Sequence, residues 1–124
     1  MSEAPGIVIV RERIDPAELE RLVLLYFEDM VKYVVDVERG VIGLGGEMHA
    51  DAEQLLLENG SRPADLWGAN YYPGRGRDGC IEYTALINIR PAQGNRSMEI
   101  QDPALRERVR DLTWALVGEG EPLS

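Results

Sequence analysis

Residues 31–44 carry the pattern that most narrows the fold. Val31, Tyr33, Val35 and Val37 fall on one side of an extended chain, and Lys32, Val34 and Asp36 on the other. Glu38-Arg39-Gly40 makes a turn, with Gly40 free to take a positive φ, and Val41–Leu44 returns as a second extended run. Strands joined by so short a turn pair antiparallel, because a parallel partner needs a crossover of about a dozen residues or more. A second hairpin is expected from Leu66–Tyr72 and Cys80–Ile89, separated by the breaker-rich loop Pro73–Gly79. Cys80–Ile89 has the cleanest alternation in the chain: Ile81, Tyr83, Ala85, Ile87 and Ile89 against Glu82, Thr84, Leu86, Asn88 and Arg90.

Three helices fit the remaining apolar spacing. Asp15-Pro16 opens the first, with Asp15 as cap and Pro16 at the first helical position. Leu19, Leu22, Val23, Tyr26 and Met30 form its apolar face, so it is expected to reach about Met30. Glu47–Asn59 reads as the second, with Met48, Ala52, Leu55 and Leu56 as its stripe and Gly60 as its C-terminal cap. Asp102-Pro103 opens the third, which Gly118 ends. With Ile7–Val10 as a first strand and Ser97–Ile100 as a short edge strand, the order is β-α-β-β-α-β-β-(β)-α. The expected class is α+β: a mainly antiparallel sheet of four to six strands, built from two hairpins and packed on one face by three helices. The 124 residues fit a single domain, with 119–124 a frayed tail.

Charge and cysteine content exclude several functions. The formal net charge of −9 repels a phosphate backbone and disfavours nucleic acid as a partner. A lone Cys80 allows neither an internal disulfide nor a CxxC zinc site. Apolar runs such as Leu22–Phe27 are too short to span a bilayer, and Met1–Pro5 carries no signal-peptide pattern, so a cytoplasmic location without membrane contact is expected.

Three polar segments offer chemistry. Glu47-Met48-His49-Ala50-Asp51-Ala52-Glu53 contains the only histidine. On a helix His49 and Glu53 share one flank and Glu47 and Asp51 the other, so the four cannot converge on one ion, and no metal or other cofactor is assigned. General acid–base use of His49, with Glu53 setting its tautomer and Glu47 nearby, is the catalytic reading; a solvated helix start is the structural one. The second segment, Arg90-Pro91-Ala92-Gln93-Gly94-Asn95-Arg96-Ser97, suits an anion cradle through Arg90, Gln93, Asn95 and Arg96, or an ordinary self-bonded loop. In the third, Asp65-Leu66-Trp67-Gly68-Ala69-Asn70-Tyr71-Tyr72-Pro73, Asn70 lies amid apolar residues and needs a partner, either a ligand or Asn88 on the neighbouring strand.

These segments, in this order, resemble those of a small prokaryotic family of uncharacterised proteins, domain-of-unknown-function family 5674. The resemblance runs from about Met30 to Arg110, with 1–29 less characteristic and readable as an extension. It implies a shared polar site but carries over no catalytic role. The resulting expectation is a domain that binds, and in its enzymatic form hydrolyses, a small anionic ligand at a His/Glu/Asn/Arg pocket. The alternatives are a non-enzymatic homodimeric module using Trp67, Tyr71 and Tyr72, and a toxin-like RNA-binding or ribonuclease domain using the arginines from Arg75 to Arg96.

Overall fold

A computed structural model describes residues 6–123. The hairpin of residues 31–44 forms the centre of the sheet. β1 (Ile7–Val10), β2 (Val31–Asp36), β3 (Val41–Gly45), β4 (Leu66–Tyr71) and β5 (Ile81–Glu82) are all antiparallel, in the order β1-β3-β2-β4-β5. The helices are α1 (Pro16–Tyr26), α2 (His49–Glu58) and α3 (Pro103–Leu116). The α+β class and the element order are as the sequence implies, except that the short edge strand at Ser97–Ile100 reduces to a single bridge between Thr84 and Glu99.

The helices cover both faces of the sheet, not one. Successive residues of a strand point to opposite faces, and Tyr33 and Val34 on β2 are both fully buried. Leu19, Leu22 and Val23 of α1 and Val109 of α3 pack with Tyr33, Val35, Ile42, Trp67, Ala69 and Tyr71. Ala52, Leu55 and Leu56 of α2 pack on the other face with Ile7, Val34 and Leu66. Each buried Val, Leu or Ile side chain among them contributes about 1.5–3 kcal/mol. Gly43 on β3 allows α2 to sit close, since a Cβ there would lie 3.2 Å from the Ala52 carbonyl oxygen and from Leu56 Cγ.

Buried polar groups hold the layers in register. Thr113 Oγ1 donates to the Val109 carbonyl at 2.8 Å, so the Tyr33 hydroxyl, 2.7 Å from Thr113, must donate to it, tying β2 to α3. The fully buried Asp36 carboxylate accepts from the N–H groups of Glu38 and Arg39 and from the Ser61 hydroxyl at 2.6 Å, which fixes the β2–β3 turn.

The helix ends differ from the sequence reading for local reasons. α1 stops at Tyr26 rather than Met30, because Glu28 takes a left-handed φ of 77° and sends its N–H to the Val23 carbonyl at 3.0 Å. Without a glycine at that point, no stop signal was visible. The two Asp-Pro starts are not equivalent: Asp102 caps the Ala104 N–H at 2.9 Å, whereas Asp15 makes no side-chain cap. α2 begins at His49, two residues after Glu47, because Gly45 and Gly46 both adopt positive φ and Met48 is still extended.

The largest departure is Cys80–Ile89. Only Ile81 and Glu82 pair with β4, opposite Tyr71 and Asn70, and Leu86–Asn88 is a 3-10 turn. The segment wraps the edge of the sheet. Ile81 and Tyr83 pack into the core beneath α1 and α3, while Ile87 packs into the core beneath α2. Alternation therefore reflects burial on two sides of an edge, with no strand alongside. In place of that strand, the Asn88 amide accepts from the Gly68 N–H at 2.8 Å and donates to the Gly68 carbonyl at 2.9 Å. A side chain thus supplies both ladder bonds that β4 would otherwise leave open.

Candidate functional site

The register of the sheet sets Lys32 opposite Asn70 and Asn70 opposite Glu82, a polar row across β2, β4 and β5 on the face that carries α2. His49, the first residue of α2, descends onto this row. Gly68 makes room for it: a Cβ there would lie 2.6 Å from Ala85 Cβ and 3.2 Å from His49 Cδ2. The result is a cavity of about 270 Å³ lined by Lys32, Met48, His49, Ala50, Asn70, Thr84, Ala85, Leu86, Ile87 and Met98.

The two polar groups at its floor have fixed orientations. His49 is 8 % exposed, and its Nε2 lies 2.9 Å from the Ala69 carbonyl. A carbonyl only accepts, so Nε2 carries the proton and Nδ1 keeps its lone pair. Burial pushes the imidazole pKa below its ordinary value. The Ala69 bond, the adjoining Asn70 amide and Glu82 oppose that shift, and Lys32 adds to it. Asn70 is 6 % exposed, and its Nδ2 donates to Glu82 Oε1 at 2.7 Å and to the Thr84 carbonyl at 3.4 Å. Both are acceptors, so the amide cannot turn over. Its Oδ1 is buried and accepts no hydrogen bond of proper geometry, even though the amide is close enough to act on the His49 ring.

Lys32 and Thr84 complete the polar complement. Lys32 makes no ion pair among the described residues, and its Nζ lies 5.3 Å from the centre of the Phe27 ring. The mouth is apolar and open: Met48 is 58 % exposed, Leu86 65 % and Met98 40 %.

The segments singled out in the sequence divide between two places. His49 and Asn70 share the cavity. Glu53 instead pairs with Arg90 at 3.2 Å, and Arg90 also donates to the carbonyls of Ile87 and Pro63 while lying over the Trp67 ring. Arg90 therefore staples α2 to the loop and has no fork left for an anion. Gln93 donates to the Ala64 carbonyl at 3.1 Å. Asn95 Nδ2 donates to the carbonyls of Asn88, Ser97 and Glu99, and its Oδ1 accepts from the Gln101 N–H. Glu47 and Arg96 are exposed. Gln93 and Asn95 border a larger, more open groove of about 660 Å³ with Trp67, Asp102 and Arg108, but those side-chain amides are already bonded within the fold.

Two further expectations meet the structure differently. Asn70 and Asn88 do not pair with each other, since Asn88 is occupied by Gly68 and by the Met98 carbonyl. Trp67 and Tyr71, expected at a dimer interface, are buried in the protein's own core. The arginine run is dispersed: Arg75 lies over Tyr72, Arg77 pairs with Glu119 and Arg90 pairs with Glu53. Lys32 and Thr84 were missed as site residues. The available signal was Lys32 itself, the only lysine, on a strand face next to a buried valine. Among the described residues no group of three or more His, Cys, Asp or Glu side chains could hold a metal ion, and no helix is long and apolar enough to cross a membrane.

The fold and site define a small antiparallel α+β domain with a half-polar cavity beneath a helix N-terminus. The chain belongs to the family described as protein of unknown function (DUF5674), whose model matches residues 8–116 and so takes in most of β1 and all of α1. No curated protein and no solved structure matches the chain.

Proposed function

We propose that the domain binds a small organic ligand in the cavity formed by Lys32, His49, Asn70 and Thr84. The observation that supports this most strongly is the Asn70 amide. Glu82 and the Thr84 carbonyl hold it in the orientation that leaves a buried acceptor without a donor. Buried acceptors are nearly always paired, and an unpaired one costs about 1–3 kcal/mol. A pocket with a few convergent polar groups and an apolar mouth is the usual form of a small-molecule site. His49 Nδ1, with its lone pair free, can take a proton from a bound ligand, which is the route to catalysis at this site. Among the described residues, Lys32 rather than an arginine is the cation that lines the cavity.

Protein-observed NMR against a mixed fragment library tests the reading. Binders are expected to shift the signals of Asn70, Thr84 and the Met48 and Met98 methyl groups. Hits confined to the groove beside Trp67 and Arg108, or no hits at all, would refute it.

A further inference from the structure

Taking that cavity as the binding site, we infer that its ligand class is the neutral amide edge, an N–H next to a C=O on a flat ring or aryl group, as in a carboxamide, a lactam or a nucleobase. The inference rests on the reading above and narrows it to a hydrogen-bond pattern.

The floor presents acceptors. Asn70 is more than nine-tenths buried, and its Oδ1 accepts no hydrogen bond of proper geometry while Nδ2 is held by two acceptors. His49 Nδ1 is a second acceptor, because Nε2–H is committed to the Ala69 carbonyl. The Asn70 amide cannot turn over without losing its two bonds, and the neutral His49 ring cannot exchange tautomers without losing the Ala69 bond. A ligand must therefore bring a donor to the floor. Lys32 and Thr84 line the same cavity on either side of Asn70, Lys32 on β2 and Thr84 just past β5. The Lys32 ammonium can only donate, and the Thr84 hydroxyl, without a hydrogen-bond partner among the described residues, can donate or accept, so a ligand that uses both carries an acceptor. A carboxylate fits Lys32 and fails on the floor, where two lone pairs would meet its charge. An ammonium or guanidinium fits the floor and meets the Lys32 charge. A neutral N–H/C=O edge satisfies both.

Charge and shape agree with this. Glu82, across Asn70 from Lys32, offsets the lysine charge, and among the described residues no arginine lines the cavity. The apolar mouth of Met48, Leu86 and Met98 suits a flat ring, since thioethers pack favourably against aromatic edges. A volume near 270 Å³ accommodates one ring with a short substituent.

The test uses the unaltered protein and three matched probes, benzamide, N,N-dimethylbenzamide and benzoate, titrated at neutral pH with NMR detection. Benzamide is expected to shift Asn70, Thr84 and Met98. Removing both N–H donors, or replacing the amide by a carboxylate, is expected to weaken binding about tenfold or more. Asn70→Leu, checked for folding by its amide spectrum, is expected to abolish the difference between benzamide and its dimethyl form. The ligand series decides the matter even if that variant does not fold. Benzoate binding as tightly as benzamide, or equal binding of the dimethyl form, would overturn the amide-edge inference. Failure of all three probes while other library fragments occupy the cavity would also overturn it and leave the binding site standing. If no fragment enters the cavity, both fall.

Discussion

Gly68→Ala is the most direct test of how the cavity is built. The φ at Gly68 lies outside the left-handed region, so alanine meets no backbone strain there and only space opposes it. The added Cβ would lie 2.6 Å from Ala85 Cβ, closer than such carbons approach, and 3.2 Å from both His49 Cδ2 and Ile87 Cγ1. Overpacking of this kind costs about 1–3 kcal/mol. Restricting the unfolded chain returns about 0.4–1 kcal/mol. The net expectation is a loss of about 1–2 kcal/mol. Ala85→Gly alone should cost about 1.5 kcal/mol, from a buried methyl group and added chain freedom. If the two changes were independent, the losses would add to about 3 kcal/mol. Because Ala85→Gly removes the closest contact, the double variant should fall nearer to 1.5 kcal/mol, a favourable coupling of 1 kcal/mol or more. Urea unfolding of the four proteins, followed by tryptophan fluorescence, reads this cycle. Gly68→Ala as stable as the parent, or strictly additive losses, would show that the chain from Ala85 to Asn88 does not lie over Gly68 as described.

Two further outcomes are expected. His49 is the only histidine, and burial lowers its folded pKa, so on acidification the unfolded chain takes up a proton before the folded one does. Stability should therefore fall as pH drops below about 6.5, by at most about 1.4 kcal/mol per pH unit, until the folded pKa is reached. Urea unfolding between about pH 7 and pH 5.5 checks this, and an unchanged slope in His49→Gln would refute the assignment. Asn88→Leu strips partners from the Gly68 N–H, the Gly68 carbonyl and the Met98 carbonyl. About 3 kcal/mol or more should be lost, with faster hydrogen exchange at the Gly68 amide; a loss under about 1 kcal/mol would contradict the bonding described.

The central hairpin and the three helices were legible because each depends on local chemistry. The alternation of Val31–Val37, the Gly40 turn and the stripes of Leu19/Leu22/Val23 and Ala52/Leu55/Leu56 need no knowledge of distant contacts. What misled was periodicity without a partner. The apolar positions Ile81, Tyr83 and Ile87 recur because they pack on the two sides of a sheet edge, and a strand would look the same. Burial of both faces of β2 was readable in principle, since Val34 sits on the face that also bears Lys32 and Asp36. The site was half legible. His49 stood out as the only histidine, in an acidic segment, and Asn70 as an amide amid apolar residues, and both line one cavity. Arg90, Gln93 and Asn95 stood out equally, yet they spend their hydrogen bonds inside the fold. Residue type reveals capacity for a bond, whereas only the folded chain shows whether that capacity is already used.

The way Asn88 finishes β4 also bears on how the protein behaves in a crowded solution. An open strand is a template on which another chain can anneal through its backbone, the route to domain exchange and fibrils. Past Glu82, β4 offers no such template at Gly68, because a rigid side-chain amide already holds both groups that an incoming strand would need. Removing that one amide would turn a sealed flank into a sticky one, so Asn88 variants should form larger assemblies than the parent even under conditions where the domain remains folded.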